Sequence, residues 1–551
     1  MGLLLVLILA TTVTVALIPL LERRAVQLHV LDEPGARKVH TRPVPRVGGI
    51  AMAIGVALPS VLALPLDRLL AAFLAGAAIV LSFGVWDDRR DLRPAVKLLG
   101  QLVAVSLVVF VGGVRIDTLN VATHVQLPAI VSYPLTVLFL LGVTNAINLA
   151  DGLDGLAGGT TLLCFAAAVT LALSGQGAIS FVTVVGCAAI GSLLGFLRFN
   201  SYPARIFMGD GGSQLLGYTV GVVALVLTQD PELPYSAALP LLLLGLPILD
   251  TLAVIAIRLR EGRSPFSADK NHLHHRLLGL GFDQFEAVVV IYLLQGVLFV
   301  SAWLMRYQSD VSIVLVFAAF AAALLLGLLG AERRGWRWEG FADQRLGAAI
   351  AERLPWLRAP ERLPRWTNVT AWACVSLYVL AIGLTSTTIS ADVSWLAGGI
   401  AALLLVAALR FEPHPSIERL AHGAVFVAMV MVVYLDHIEP ARLPLFKALK
   451  LVILPLLAAA VVVRIRFARE RRFAVTTLDV LVVFMALVLP NLPGLSRSPS
   501  NLGVSIGKLI ILLYAVEMLA GHSDRVRAWL WGSTAAGLAV LAVRGLWPGA
   551  G

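Results

Sequence analysis

Charge is scarce in this sequence. Only 14% of its 551 residues are Asp, Glu, Lys or Arg, against 59% hydrophobic residues and a mean hydropathy of +0.88. A soluble chain of this length could not hide that much apolar side chain, so the surplus must face lipid. Cysteine is scarcer still. Cys164, Cys187 and Cys374 all lie in apolar runs without metal-ligand spacing, which argues against a zinc cluster or a disulfide framework and leaves them as packing residues. No basic stretch precedes the first apolar run, 2–21, and no small-residue cleavage site follows it, only Glu22, Arg23 and Arg24. That run is therefore expected to stay as a helix and not to be removed as a signal peptide. The basic residues sit in short loops between apolar runs, with no aromatic-basic surface that would read single strands, so the net charge of +10 does not point to nucleic acid.

What the sequence has in abundance is apolar runs of about 20 residues, the length that spans a bilayer as a helix. The expected fold is all-α, a polytopic integral membrane protein. Eleven spans are expected at 2–21, 46–66, 68–86, 94–112, 129–148, 157–174, 178–197, 212–228, 236–258, 286–304 and 311–330. Seven more follow at 367–386, 394–410, 423–435, 446–463, 474–490, 504–520 and 528–544. This divides the chain into a membrane domain over 1–330, a basic linker over 331–366 and a transmembrane extension over 367–551.

Loop charge orients the spans. Arg23, Arg24, Arg37, Lys38 and Arg42 fill one loop, Arg89, Arg90 and Arg93 another, and Arg258, Arg260, Arg263, Lys270 and Arg276 a third. Counted alternately, all fall on one side with the arginine-rich linker and Arg464 to Arg472. That side should be cytoplasmic, with the N-terminus outside.

Four polar motifs interrupt the apolar pattern, each at a cytoplasmic helix end in this topology. The first is Asp87-Asp88-Arg89-Arg90-Asp91. Asp87 and Asp91 are four apart and share a face if the helix continues. Adjacent carboxylates repel, and a divalent cation relieves the repulsion; a solvated helix end with arginine partners is the plainer reading. The second runs from Asn145 through Asn148 to Asp151-Gly152-Leu153-Asp154-Gly155. Asp-Gly is ordinary turn chemistry, but a turn does not need two asparagines inside the preceding helix. Amides and carboxylates there suit a sugar, a base or metal-bound water. The third, Phe207-Met208-Gly209-Asp210-Gly211-Gly212-Ser213, offers a helix N-cap or a carboxylate that glycines leave open to a bulky ligand. The fourth is Asp269-Lys270-Asn271-His272-Leu273-His274-His275-Arg276. It lacks familiar zinc spacing, and its imidazoles and basic flanks suit an anion better. Lys97 and Gln101, one turn apart, and the stretch Arg37-Lys38-Val39-His40 to Arg46-Val47-Gly48-Gly49 add donors near the same face. Snorkelling and positive-inside charge would equally account for them.

Carboxylates with a divalent metal beside basic groups at a membrane surface suit phosphoryl transfer, because metal and cations offset the phosphate charge in the transition state. The membrane suggests that one substrate is a lipid, and the amides that the other is sugar- or nucleotide-like.

In order, Asp87-Asp88, Asn145…Asn148…Asp151-Gly-Leu-Asp154-Gly-Leu, Phe-Met-Gly-Asp210-Gly-Gly-Ser and His272-Leu-His274-His275 resemble the polyprenyl-phosphate N-acetylhexosamine-1-phosphate transferases. The resemblance covers about residues 1–330. It implies transfer of a sugar 1-phosphate from a UDP-sugar to undecaprenyl phosphate, with release of UMP and with magnesium, or manganese in its place. It implies Asp210 as the central metal ligand with Asp88 and Asp154. Asp87 would deprotonate or orient the lipid phosphate, supported by Asp88. Asn145, Asn148, Asp151 and Asp154 would hold the nucleotide, Lys38, Lys97 and Arg276 the phosphates, and His272, His274 and His275 the diphosphate or sugar. Direct attack on the β-phosphorus is the preferred route, with a carboxylate-bound intermediate left open. The histidine segment looks like that of bacterial GlcNAc-1-phosphate transferases of cell-envelope polysaccharide synthesis. The phospho-MurNAc-pentapeptide transferases carry three consecutive histidines, and the departure here argues against that substrate, which is kept as the alternative; UDP-GalNAc or a modified aminosugar is left open. A homodimer is compatible with the pattern.

The resemblance leaves 367–551 uncovered. Its thin polar set is His414, Asp436, His437, Glu439 and Glu517, with Asp436 to Glu439 read as a solvated outer loop. The basic run ending at Arg472 most simply sets orientation and touches anionic lipid. Two rival readings are an ion-coupled transporter or flippase, which would place acids at helix centres, and an inactive scaffold that keeps the fold.

Overall fold

The computed structural model describes residues 2–27, 30–32, 43–121, 124–175, 179–264, 271–338, 362–386, 389–409, 415–438, 444–467, 476–492, 502–520 and 524–546. The chain is all-α and polytopic, with thirteen helices among the described residues long and apolar enough to cross a membrane. It divides into two compact units. The first holds Met1–Phe341 with Thr476–Leu481, the second Ala342–Val475 with Val482–Gly551.

In the first unit the long helices are α1 (Leu3–Arg24), α2 (Gly48–Ala63), α3 (Arg68–Arg90), α4 (Pro94–Ser106), α5 (Ala129–Ala150), α6 (Leu156–Gly175), α7 (Phe181–Asn200) and α8 (Gly209–Thr228). Then come the short α9 (Pro240–Leu243), α10 (Gly245–Arg260), the short α11 (Leu273–Gly279), α12 (Gln284–Leu304) and α13 (Asp310–Arg333). Two small antiparallel ribbons sit between helices: β1 (Leu31–Asp32) with β2 (Val44–Pro45), and β3 (Thr118–Asn120) with β4 (His124–Gln126). Local chemistry sets several helix starts. Asp67 caps α3 by accepting from the Leu70 amide at 2.8 Å, and reciprocal capping boxes open α7 (Ser180, Thr183) and α12 (Asp283, Glu286).

Helices α6, α7 and α8 form the core of this unit, with 94%, 83% and 94% of their most apolar windows buried, whereas α13 buries 11%. A helix apolar all round and buried all round packs through small residues. A Cβ on Gly211 would press on α3 at Val85, 3.1 Å away, and one on Gly84 would meet the Gly211 Cα at 2.2 Å. One on Gly212 would meet the Gly49 Cα at 2.9 Å. The glycines around Asp210 therefore seat α8 against α2 and α3. The sequence suggested that they clear room for a ligand, and the role seen here is close helix contact.

Three further expectations change. The span expected at 236–258 is broken at Leu244 into α9 and α10. Pro247 has no N–H for the Leu243 carbonyl four residues back, and Gln295 Nε2 donates to that carbonyl instead, at 2.9 Å. Helix α4 ends at Ser106, and a π-helical turn over Leu107–Val111 carries the chain on. Helix α3 stops at Arg90, and Asp91 takes a left-handed conformation, φ +47°, with its side chain exposed, so it does not share a face with the buried Asp87.

The second unit contains α14 (Arg362–Thr385), α15 (Ala391–Leu409), α16 (Pro415–Ile438), α17 (Pro444–Phe467), most of α18 (Thr477–Asn491), α19 (Leu502–Ala520) and α20 (Asp524–Leu546). Val375, Tyr378, Leu404, Met429, Leu512 and Leu538 lie in its core. The span expected at 423–435 proves a full 24-residue helix, α16. Asp436 is no loop residue: it is 3% exposed and accepts from Tyr378 Oη and Lys508 Nζ, each at 2.7 Å. His414 and Glu439 lie outside the described residues.

Candidate active site

The polar motifs of the first unit meet where α3, α4, α5 and α8 end or begin. Lys97, in the first turn of α4, ion-pairs with Asp87 near the end of α3 and reaches Asp210 Oδ2 at 3.1 Å. Asn148, in the last turn of α5, donates to Asp210 Oδ1 at 3.3 Å and to Ser213 Oγ at 2.8 Å. Four elements distant in sequence thus converge on Asp210 in the first turn of α8. There the helix N-terminus adds its own partial positive charge.

Asp88 does something different from its neighbour. Oδ1 accepts from the Asp210 amide at 3.0 Å and from Arg46 at 3.2 Å, and Oδ2 from the Gly211 amide at 3.3 Å. Gly209 enters α8 at φ +71°, and a Cβ there would strike Asp88 Oδ2 at 2.3 Å. Asp88 was expected on a metal. Here its oxygens take up the otherwise unpaired amides at the start of α8, so it fixes Asp210 in place. Arg46 also pairs with Asp32 at 2.5 Å, which ties the β1–β2 ribbon to this anchor.

Asn145 also departs from its expected role. It forms a reciprocal amide pair with Gln101, at 2.7 and 3.3 Å, and Gln101 in turn donates to Gln214 at 3.0 Å. Gln101 and Gln214 are almost fully buried, so this chain of amides locks α4, α5 and α8 beneath the site and leaves Asn145 little to offer a substrate. Asp154 accepts from the Ala204 amide at 2.9 Å, which fixes the turn after α5.

Asp151 is the contrasting acid. It is exposed and accepts no hydrogen bond among the described residues. The protein around it, and then the charges of Asp210, Asp88 and Asp154, push its carboxyl up to about 7. Among the described residues, five carboxylates, Asp87, Asp88, Asp151, Asp154 and Asp210, stand near two cations, Lys97 and Arg46.

The histidine segment closes the other side. His272 Nδ1 lies 2.8 Å from Asp250 Oδ2, and Asp250 Oδ1 accepts from the Leu273 amide at 2.6 Å. His274 is buried against Gly152, where an added Cβ would meet its Nε2 at 2.3 Å. Burial, with His275 and His272 beside it, pushes the His274 imidazole down to about 4, so a contact with the diphosphate or sugar would be made by a neutral ring. His275 is exposed, its ring tilted against that of His274 with centroids 4.2 Å apart. Arg276, expected on phosphate, gives Nε and an Nη to Glu332 at 2.7 and 2.9 Å. Lys38, with Arg37, His40, Asp269 and Lys270, lies outside the described residues.

Sequence reasoning passed over Asp250. The signal was there, a lone acid inside an otherwise apolar helix, which is costly unless paired or functional. Asp32 had no such signal, because only the ribbon brings it to Arg46.

Comparison with known proteins places the chain among named relatives. Residues 70–228 match glycosyl transferase family 4. A probable undecaprenyl-phosphate N-acetylglucosaminyl 1-phosphate transferase of Bacillus subtilis is 38% identical over 293 residues, 52% of this chain and 80% of that protein. The decaprenyl-phosphate N-acetylglucosaminephosphotransferase of Mycolicibacterium smegmatis is 33% identical over 341 residues, covering 56% and 84% respectively. The undecaprenyl-phosphate alpha-N-acetylglucosaminyl 1-phosphate transferase of Escherichia coli K12 is 30% identical over 311 residues, covering 55% and 83%. Each match spans about half of this chain. The chain belongs to the polyprenyl-phosphate N-acetylglucosamine-1-phosphate transferase family.

Proposed function

We propose that this protein transfers N-acetylglucosamine 1-phosphate from UDP-N-acetylglucosamine to undecaprenyl phosphate, yielding the lipid diphosphosugar and UMP on the cytoplasmic face of the membrane. The observation that carries the reading is Lys97 held between Asp87 and Asp210 at one end of an apolar bundle. That arrangement supplies carboxylates and a cation where a lipid phosphate and a soluble nucleotide can meet. The basic loops at the same helix ends support the cytoplasmic orientation.

The donor set suits a hard divalent cation. Among the described residues the carboxylates outnumber the local cations, and Asp151 is raised first by desolvation and then by the charges of Asp210, Asp88 and Asp154. No three acidic or histidine side chains among the described residues converge as a complete metal cage. Magnesium is commonly held by one or two carboxylates, with substrate phosphates and water completing the shell. Asp210 and Asp151 would hold it, and when bound it would neutralise charge developing on the transferred phosphoryl group.

The chain's own groups divide the remaining work. Asp87 takes the proton of the lipid phosphate, and one of its oxygens then attacks the β-phosphorus of the sugar nucleotide. The bond between the α- and β-phosphates breaks, and UMP leaves with the electron pair. Lys97 offsets the charge of both phosphates, Asn148 orients Asp210, and Asp88 keeps the start of α8 in position.

Purified protein with undecaprenyl phosphate, labelled UDP-N-acetylglucosamine and magnesium should release UMP and label the lipid. Absence of UMP release from every UDP-aminosugar tried would overturn the proposal. Release from a different aminosugar alone would move the substrate and keep the reaction.

A further inference from the structure

The Asp250–His272 pair carries chemistry beyond the carboxylate site. Asp250 sits in the middle of α10 with its side chain 13% exposed, and His272 is 7% exposed at the entrance to α11. One carboxylate serves two partners: Oδ1 holds the Leu273 amide at the start of α11, and Oδ2 lies 2.8 Å from His272 Nδ1. An ionised carboxylate only accepts hydrogen bonds, so Nδ1 must carry the proton. In the neutral ring Nε2 is then a lone pair, and no partner among the described residues occupies it. The ring cannot turn away easily. It stacks near-parallel on His274, 5.8 Å between centroids, and His274 is itself seated on Gly152 of the Asp151–Gly155 turn.

We infer that Asp250 is a positioning residue that fixes His272 as a hydrogen-bond acceptor, and that its ligand is therefore a hydroxyl of the donor sugar or ribose and not a phosphate oxygen. The inference rests on the transferase reading above. A lone pair repels a phosphate oxygen and accepts from a hydroxyl, so the tautomer selects the class of group that can dock there. A buried site built for one hydrogen-bonding polarity strongly rejects the other. It also explains the acid inside α10. Asp250 cannot be replaced by a neutral acceptor without freeing Nδ1 to lose its proton.

Asp250→Asn tests this directly. The amide oxygen can still accept from Leu273, so α11 keeps its start, while the amide N–H2 faces His272 Nδ1 and forces the proton to Nε2. In nitrogen-15 NMR of histidine-labelled protein, with His272→Gln to assign the signal, the wild type should show Nδ1–H and Asp250→Asn should show Nε2–H. Turnover by Asp250→Asn should fall about 100-fold or more in kcat/KM for the sugar nucleotide, with KM for undecaprenyl phosphate unchanged. The Asp250→Asn/His272→Gln double variant should be no worse than His272→Gln alone.

The same tautomer in wild type and Asp250→Asn, or losses that multiply in the double variant, would overturn the inference. If Asp250→Asn does not fold, the wild-type spectrum against His272→Gln decides alone, and Nε2–H there overturns it. The expected tautomers in wild type and Asp250→Asn, with a wild type that uses no UDP-aminosugar, would defeat the transferase reading and leave the dyad standing. An active wild type with a neutral Asp250→Asn would do the reverse.

Discussion

Both units bury acids, but they satisfy them in opposite ways. In the second unit Asp436 is closed off: Lys508 neutralises it and Tyr378 completes its hydrogen bonding, while His437 next to it meets Ser505 Oγ at 2.9 Å. In the first unit one lysine is shared between Asp87 and Asp210, and Asp151 has no partner at all among the described residues. A closed ion pair holds helices in register. An excess of carboxylate is tolerated only where something else brings positive charge, which is the condition for binding a cation or working on a phosphate.

The contrast is broken most severely by Asp210→Asn. Turnover should fall at least about 1,000-fold, because this carboxylate is the convergence point of four helices and the group proposed to hold the metal. The melting temperature in detergent should stay within a few degrees of wild type. Retained turnover would remove Asp210 from the chemistry.

Asp436→Asn should show the reverse pattern. Leaving Lys508 without its counter-charge costs about 3–5 kcal/mol where a buried pair is broken. Thermal unfolding should register that loss, while kcat of the surviving folded enzyme stays unchanged. Asp436→Leu combined with Lys508→Met should recover most of the stability. A large fall in kcat with stability intact would mean that the second unit takes part in the reaction.

The histidine segment sharpens the comparison on the pH axis. His274 has a folded pKa of about 4, below the ordinary histidine value near 6.5. Between those values the unfolded chain binds the extra proton, so stability declines as pH falls from about 6.5 towards 4 and levels off below that. The full contribution is at most about 3 kcal/mol, from about 2.5 pH units at 1.36 kcal/mol each. His274→Gln should flatten the melting temperature between pH 4 and 6.5 relative to wild type; an unchanged slope would place the titration elsewhere.

The smallest effect belongs to Glu332→Gln. Its bidentate pair with Arg276 lies at the surface, and such pairs contribute about 0–1 kcal/mol. Stability should hardly move. A large loss of activity here would return Arg276 to the phosphate-binding role that its sequence context suggested.

Much of this was legible in the chain alone. Long apolar runs dictate helices because the bilayer leaves no water to satisfy an open backbone. The basic loops suggest their orientation, and Asp87, Asn148, Asp151 and Asp210 stood out as polar interruptions of those runs. Sequence alone could not divide the labour among them. Asp87 and Asp88 are adjacent and chemically identical, yet one faces Lys97 and the other the amides of α8, because successive residues on a helix point about 100° apart. The glycines after Asp210 read as ligand clearance, and only the structure brings Gly49 and Gly84 against them. Asp250 drew no notice in the sequence, and its partner, His272, comes 22 residues later. Hydrophobic periodicity thus determined the helices and the end of the bundle where the polar groups gather. Which carboxylate anchors, which stays open and which sets a histidine's proton was decided only by tertiary packing, because those roles depend on distances between helices that no local pattern encodes.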